Sequence, residues 1–393
     1  VAFFILVIMY GTYYSFGVFF KPILTNFDWT RTTTSGAFST FLILHGIFYI
    51  FVGRICDRFG PRVVVSACGF VLGIGYVLMS QISSLWQLYL FYGVFVAIGM
   101  TGSAPIMVAT IARWFVRRRG LVTGLVVAGI SVGTVVMPPI ATRLIAAYDW
   151  RISYLIIGIV ALCIIVPLAQ FLRANPSEKG LSPYGFKEAE SERLAWQSSG
   201  YSLMAAIRTR QFLLLAVANI CFAFFQQTIM VHIIPHATDV GITEINAANI
   251  IAIIGGGGIL GRIALGIIAD RVGAKRSMVI CFAVIALAFP WLTVSSELWM
   301  LYSFAAIFGI AYGGLITLLS VITAELFGLA ALASIMGFSI FAATLGGAAG
   351  PVLAGSIFDA SGSYNLAFLI CMAMAVIAVI ASTLIRPIEK MKS

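Results

Sequence analysis

The sequence predicts an all-α membrane protein of twelve transmembrane helices folded as two six-helix bundles. Three observations carry this expectation: long apolar runs along nearly the whole chain, charge confined to the breaks between them, and a loop sequence that occurs twice. Of the residues, 61% are hydrophobic and 10% are charged, against about a quarter charged in a soluble domain. A helix needs about 20 apolar residues to cross a hydrocarbon core of about 30 Å. Helices of a soluble core would carry one apolar stripe, whereas these runs are apolar all round. An outer-membrane barrel would alternate in segments of about ten residues, and the runs do not alternate.

In chain order, the runs predict spans at roughly 1–26, 32–55, 62–82, 85–112, 120–146, 151–173, 211–236, 246–268, 277–295, 298–323, 330–357 and 363–386. The chain opens directly in a span, with no pattern of a cleavable signal. The one long loop runs from Arg173 to Arg210, is rich in charge and Ser, and contains Pro176 and Pro183. It divides the chain into an N-terminal six-helix bundle (1–173), a linker (174–210) and a C-terminal six-helix bundle (211–393). Within the linker, Tyr201–Arg210 has the pattern of a short amphipathic helix.

The formal net charge is +10, which in a soluble protein would raise nucleic acid as a partner. Topology explains it better. One set of loops holds Arg54, Arg58, Arg62, Arg113, Arg117, Arg118, Arg119, Arg271, Lys275 and Arg276; the other holds Arg31, Arg143 and Arg151, with Lys21 nearby. Basic loops stay inside, so both termini are expected in the cytoplasm and the chain in the plasma (inner) membrane. The six Cys lack metal-ligand spacing, and Cys163, Cys221, Cys281 and Cys371 lie within apolar runs as small hydrophobes. No metal or other cofactor is expected. Trp86, Trp150 and Trp299 fall where interfacial aromatic anchors belong.

The repeated loop reads Gly53-Arg54-Ile55-Cys56-Asp57-Arg58-Phe59-Gly60 after the second span and Gly266-Ile267-Ile268-Ala269-Asp270-Arg271-Val272-Gly273 after the eighth. Gly, Asp, Arg and Gly recur at the same spacing. Parallel six-span repeats mark one large class of transporters. These loops resemble the signature cytoplasmic loop of the major facilitator superfamily. The stretch Trp114-Phe115-Val116-Arg117-Arg118-Arg119-Gly120-Leu121-Val122-Thr123-Gly124-Leu125, continuing to Ala128-Gly129 and Gly133, resembles the fifth-helix motif of the monocarboxylate transporters and the related oxalate/formate antiporters. Two further stretches fit the same group: Val231-His232-Ile233-Ile234-Pro235-His236-Ala237-Thr238-Asp239-Val240-Gly241 at the end of helix seven, and Ser15-Phe16-Gly17-Val18-Phe19-Phe20-Lys21 in helix one. The resemblance covers essentially the whole chain and implies a carrier of small carboxylates, with protons as the expected partner in transport.

Arg262 is the most informative residue, because it is the only charge deep in the C-terminal half and no Asp or Glu lies deep in any span. An Arg at mid-membrane costs about 2.5–3.5 kcal/mol even on the lower scales, so it needs a cavity or a partner. A substrate carboxylate held by the planar fork supplies one. The competing reading is snorkelling to the interface beside Asp270. The resemblance also gives an Arg here the carboxylate-binding role. The chain departs from the animal monocarboxylate transporters at Gly258, where they carry an Asp one turn ahead of the Arg, and at Tyr14, where they carry a Lys. It departs from the oxalate carriers in having no Lys, Arg or His over 330–358. One deep cation suits one carboxylate.

At the offset separating Asp57 from Asp270, Gly258 falls on His45 and Arg262 on Tyr49. His45 is therefore a candidate to touch substrate or carry a proton, against the alternative of a packed helix histidine. Tyr14, Gln226 and Tyr312 are further candidate substrate contacts, as polar tips on apolar helices. His232, His236 and Asp239, at the outer end of span seven, are candidates for proton coupling or the outer gate; the competing reading is a polar helix end. Asp57, Arg58, Asp270 and Arg271 are expected to form cytoplasmic gate charges. Glycines 124, 129, 133, 346, 347 and 350 favour close helix contact in spans five and eleven, which in the superfamily pack on spans eight and two across the two halves.

The function expected is alternating-access transport of a small monocarboxylate such as lactate or pyruvate, with proton symport leading and anion exchange as the alternative. A monomeric transport unit in the lipid bilayer is expected. A membrane sensor that binds carboxylate without moving it is the rival class. An enzyme is not expected, since the sequence holds no nucleophile elbow, phosphate loop or metal cluster.

Overall fold

Long apolar segments leave the backbone no polar partner in lipid except itself, and helices satisfy every internal amide. The computed structural model describes residues 1–115, 119–180, 201–328 and 332–386, and the regular structure there is helical. Eleven helices among the described residues are long and apolar enough to cross a membrane. The helical stretch 31–59, ahead of a kink at Gly60, completes a set of twelve.

We label them α1 (Ala2–Phe27), α2 (31–59), α3 (61–79), α4 (85–114), α5 (Arg119–Ala147), α6 (Trp150–Ala169), α7 (Arg210–Asp239), α8 (Glu244–Val272), α9 (Ala274–Thr293), α10 (Leu298–Phe327), α11 (Leu332–Ser361) and α12 (Asn365–Leu384). A short helix, Leu203–Ile207, lies within the 201–210 stretch where one was expected, its Ser202 side chain accepting from the Ala205 amide. Two spans are less regular than their sequences suggest. The first is interrupted at Ser15, between Ala2–Tyr14 and Phe16–Phe27. The fourth contains a π-helical stretch, Tyr89–Val96, and then breaks at Thr101–Ser103 before resuming at Ala104 with Pro105 in its first turn.

The repeated loop owes its glycine to backbone geometry. Gly60 and Gly273 occupy the same repeat position and both adopt positive φ, +81° and +95°, a region that side chains with a Cβ avoid. Each turns the chain directly into the next helix. On the opposite side, Thr30 caps α2 by accepting from the Thr33 amide, and Asp149 caps α6 by accepting from the Trp150 amide at 2.6 Å. Arg151 donates to the carbonyls of Ser80 and Ile82 just past the end of α3. It also lies over the rings of Trp150 and Phe27. Trp150 is therefore buried beneath Arg151 rather than anchored at the interface, whereas Trp86 and Trp299 are exposed. Cys221, Cys281 and Cys371 are buried as expected, but Cys163 is exposed on α6.

Close helix pairs recur in the two repeats. In the first, α1 packs on α5 and α3 on α6, with Gly11 against Gly133 and Gly73 against Gly158; Gly93 of α4 sits against Thr40 of α2. In the second, Gly346 and Gly350 of α11 meet the carbonyls of Ile220 and Phe224 on α7, Gly313 of α10 meets Gly258 of α8, and α9 packs on α12. Spans five and eleven thus spend Gly129, Gly133, Gly346 and Gly350 on α1 and α7, because their small surface admits a neighbouring backbone, while α5 also meets α8, where Gly255 stands against Thr134 and Val135. By packing, the chain divides into two compact units. One holds α1–α6 and Met230–Gly255; the other holds the remainder of α7 and α8 with α9–α12.

Candidate functional site

Candidate residues fall into three groups. The first lies within the N-terminal helices, around His45 on α2. Its imidazole stacks on Phe41 (centroids 5.3 Å apart, planes 12° apart) and meets the Tyr49 ring edge-on at 4.4 Å. His45 also bonds the Met100 backbone, and its buried Nε2 has no hydrogen-bond partner among the described residues. One turn on, the Tyr49 hydroxyl is 2.6 Å from Ser103 Oγ, at the break in α4, and also bonds Tyr10. Tyr10 lies 6.3 Å, centroid to centroid, from the buried Tyr14. Three helices, α1, α2 and α4, thus supply one polar cluster in an aromatic surround. The sequence reading includes His45 and Tyr14 but omits Tyr49 and Ser103 as contacts. The available signal was the repeat itself, which places Tyr49 opposite Arg262.

The second group belongs to α7, α8 and α10. Arg262 is half-buried, and its Nε is a buried donor without a hydrogen-bond partner among the described residues. No ion pair to Arg262 occurs there. One turn earlier, the Cβ that Gly258 lacks would stand 3.6 Å from the Tyr312 ring, so Tyr312 borders the turn that carries the guanidinium. Tyr312 is buried, stacking on Phe222 of α7 at 6.0 Å and on Phe308 at 6.2 Å. Gln226 is buried one turn beyond Phe222. A buried guanidinium donor is costly when unsatisfied, so this arrangement can accept an anion.

The third group gathers at the outer end of α7. Asp239 is held by two cations, with its Oδ1 3.1 Å from Lys21 Nζ and its Oδ2 2.6 Å from the buried Arg31 guanidinium. Lys21 also donates to Thr238 Oγ1 at 3.2 Å. Below this clamp, His232 is 0% exposed; its Nε2 is 3.2 Å from Ser35 Oγ, and its ring meets Phe20 edge-on at 5.2 Å. His236 is also buried. Aligning spans one and seven by sequence matches Lys21 with His232; in the structure Lys21 itself contacts Asp239 and Thr238. Both histidines are enclosed in this conformation rather than open to the surface.

The charges of the repeated loop are only partly accounted for. Arg58 and Arg271 are exposed, Arg58 lying over the Phe59 ring at 5.3 Å. The side chains of Asp57 and Asp270 lie outside the described residues. Among the described residues, no group of three or more His, Cys, Asp or Glu side chains could hold a metal ion.

The family model of the Major Facilitator Superfamily matches residues 2–289 and 215–393. Monocarboxylate transporter 12 of Rattus norvegicus is 30% identical over 330 residues, covering 77% of this chain and 67% of that protein. Monocarboxylate transporter 4 of Rattus norvegicus is 28% identical over 364 residues, covering 90% and 74%. The uncharacterized MFS-type transporter YcxA of Bacillus subtilis (strain 168) is 26% identical over 368 residues, covering 91% and 87%. In fold, the chain resembles the crystal structure of a bacterial homolog of the human lysosomal transporter Spinster in an inward-facing, unoccupied conformation. The TM-score is 0.72 at 18% identity, with 97% of this chain and 94% of that one covered.

Proposed function

The chain belongs to the major facilitator superfamily, and from that premise we propose that it transports a small monocarboxylate, such as lactate or pyruvate, across the plasma membrane by alternating access. The observation that carries this reading is Arg262: a buried guanidinium donor in a membrane helix, with no hydrogen-bond partner for Nε and no ion pair among the described residues. A carboxylate satisfies it in bidentate fashion. Tyr312, beside the same helical turn, and Gln226 are the companion contacts, and Tyr14 and His45 are the contacts assigned to the N-terminal half. Binding neutralises the Arg and lowers the electrostatic penalty on an enclosed state. The names of the mammalian relatives support the substrate class.

The basic loops support an orientation with both termini in the cytoplasm. Asp57, Arg58, Asp270 and Arg271 then form the inner gate charges, and Lys21, Arg31 and Asp239 the outer clamp. For coupling we favour proton symport, with His232, His236 and Asp239 as the coupling groups and His45 as a further proton acceptor. His232 and His236 lie beneath the clamp, where opening exposes them to outside water. Anion exchange is the second reading; Gly258 favours it, since a carboxylate one turn from the Arg is absent.

Uptake of labelled lactate by the purified protein in liposomes tests this function. Uptake above protein-free liposomes, lost in Arg262→Gln and severely reduced in Arg262→Lys, is the expected result. Uptake equal in Arg262→Gln and wild type would overturn the assignment, and binding without uptake would identify a sensor. An inward proton gradient should accelerate uptake; acceleration only by preloaded carboxylate would make the protein an exchanger.

A further inference from the structure

A cavity of about 370 Å³ opens where α9 begins and α12 ends, lined by Val272, Lys275, Arg276, Val279, Ile280 and Thr383. Both helix ends mark the level at which the chain leaves the hydrocarbon region, since α9 starts at Ala274 and α12 stops at Leu384. The lining combines two cations with apolar and hydroxyl side chains and, among the described residues, contains no carboxylate. Among the described residues, neither cation makes an ion pair. Exposed apolar side chains lead away from the cavity along both helices: Ile280 and Leu287 on α9, and Leu384, Ile380 and Ile377 on α12. Their spacing of three, four and seven residues places each set on one face of its helix.

We propose that this cavity is a binding site for an anionic phospholipid, with Lys275 and Arg276 holding the phosphodiester and the two apolar tracks receiving the acyl chains. The guanidinium offers paired donors to phosphate, and the lysine adds a point charge. Basic pockets between helices at the membrane surface hold anionic headgroups in this way. A free phosphate would use the cations but leave the apolar tracks without a role, so the chemistry favours the lipid. The site lies within one packing unit and is independent of the transport assignment.

The probe is phosphatidylglycerol presented to the purified full-length protein, with phosphatidylcholine as the zwitterionic comparison. Native mass spectrometry after delipidation counts the adducts. Phosphatidylglycerol should be retained at least about fivefold better than phosphatidylcholine, and Lys275→Gln/Arg276→Gln should erase that preference. The charge-preserving pair Lys275→Arg/Arg276→Lys should keep it, and thermal melting of each variant checks the fold. Arg208→Gln/Arg210→Gln removes two exposed cations elsewhere and should leave the preference intact. Inorganic phosphate at equal concentration should not displace the lipid. Retention unchanged in Lys275→Gln/Arg276→Gln, equal loss in Arg208→Gln/Arg210→Gln, or displacement by phosphate would each overturn the proposal.

Discussion

In the first repeat, α1 packs on α5, α2 on α4 and α3 on α6; in the second, the corresponding pairs are α7 with α11, α8 with α10 and α9 with α12. The scaffold is therefore used twice, down to the positive-φ glycines at Gly60 and Gly273. The chemistry mounted on it differs. At the equivalent positions, α2 carries His45 and Tyr49, packed by aromatic rings and tied to Ser103, whereas α8 carries Gly258 and Arg262. One half thus offers neutral hydrogen-bonding groups, already largely engaged, and the other a cation with an unsatisfied donor. The difference teaches that the two copies of a duplicated scaffold can carry different chemistry at equivalent positions, a neutral polar cluster in one and a single cation in the other. Two symmetric cations would instead suit a dicarboxylate.

The largest expected effect comes from exchanging charge for neutrality on the α8 side. Losing one partner of a buried charged pair costs about 2–5 kcal/mol, so lactate uptake by Arg262→Gln should fall by roughly two to three orders of magnitude. Tyr49→Phe, its counterpart on α2, removes one neutral hydrogen bond, worth about 0.5–1.5 kcal/mol, and should reduce uptake by no more than roughly tenfold. Equal losses in the two variants, read as initial uptake rates, would break the asymmetry.

Gly258→Asp sharpens the same contrast by adding a carboxylate one turn from the cation. The added Cβ would meet the Tyr312 ring at an ordinary 3.6 Å, so the substitution fits. An ionised carboxylate there occupies Arg262 and competes with substrate; a protonated one does not. The guanidinium holds such a carboxylate ionised at neutral pH, so uptake by Gly258→Asp should be well below wild type at every pH from about 5 to 8. Equal uptake rates for the two proteins would show that the side chain does not reach the guanidinium.

Within the unit that contains α1–α6, the clamp at Asp239 is a further point of difference, because it joins α1 and α2 to the end of α7. Asp239→Asn leaves Lys21 and the buried Arg31 facing a neutral amide and should loosen this end. A cysteine introduced at the fully buried Ser35, in a background without reactive native cysteines, should then react severalfold faster with a membrane-impermeant maleimide. Unchanged reactivity would remove the clamp from the gating scheme. The smallest contrast is that between Gly60→Ala and Gly273→Ala. Each should cost about 1–3 kcal/mol of backbone strain, so their melting temperatures in detergent should drop by similar amounts; a drop in only one would show that the two turns are not equivalent.

The helices were legible because lipid imposes a simple rule: a backbone without water must bond to itself, and the side chains around it must be apolar. The breaks at Ser15 and Thr101–Ser103 and the π-helical stretch in α4 were not, because such irregularities shift only a few hydrogen bonds and leave composition unchanged. Arg262 stood out as an isolated charge. The contacts of Tyr49 with Ser103 and of Arg31 with Asp239 depend on helices far apart in the chain, and no local pattern specifies them. Charge complementarity pairs Lys21 with Asp239, a contact that no sequence pattern announced. The glycines of α5 and α11 announced close packing, but the partners expected for those spans were eight and two, whereas the glycines themselves meet α1 and α7.

The central claim is that Arg262 is the carboxylate ligand, and equilibrium binding of labelled lactate to purified protein tests it most directly because no transport step intervenes. Wild type and Arg262→Gln, matched by melting temperature, would be compared with unlabelled pyruvate and oxalate as competitors. Saturable wild-type binding displaced by pyruvate far better than by oxalate, with no saturable binding in Arg262→Gln, is the expected result. Binding of equal affinity in Arg262→Gln would remove the guanidinium from the carboxylate site.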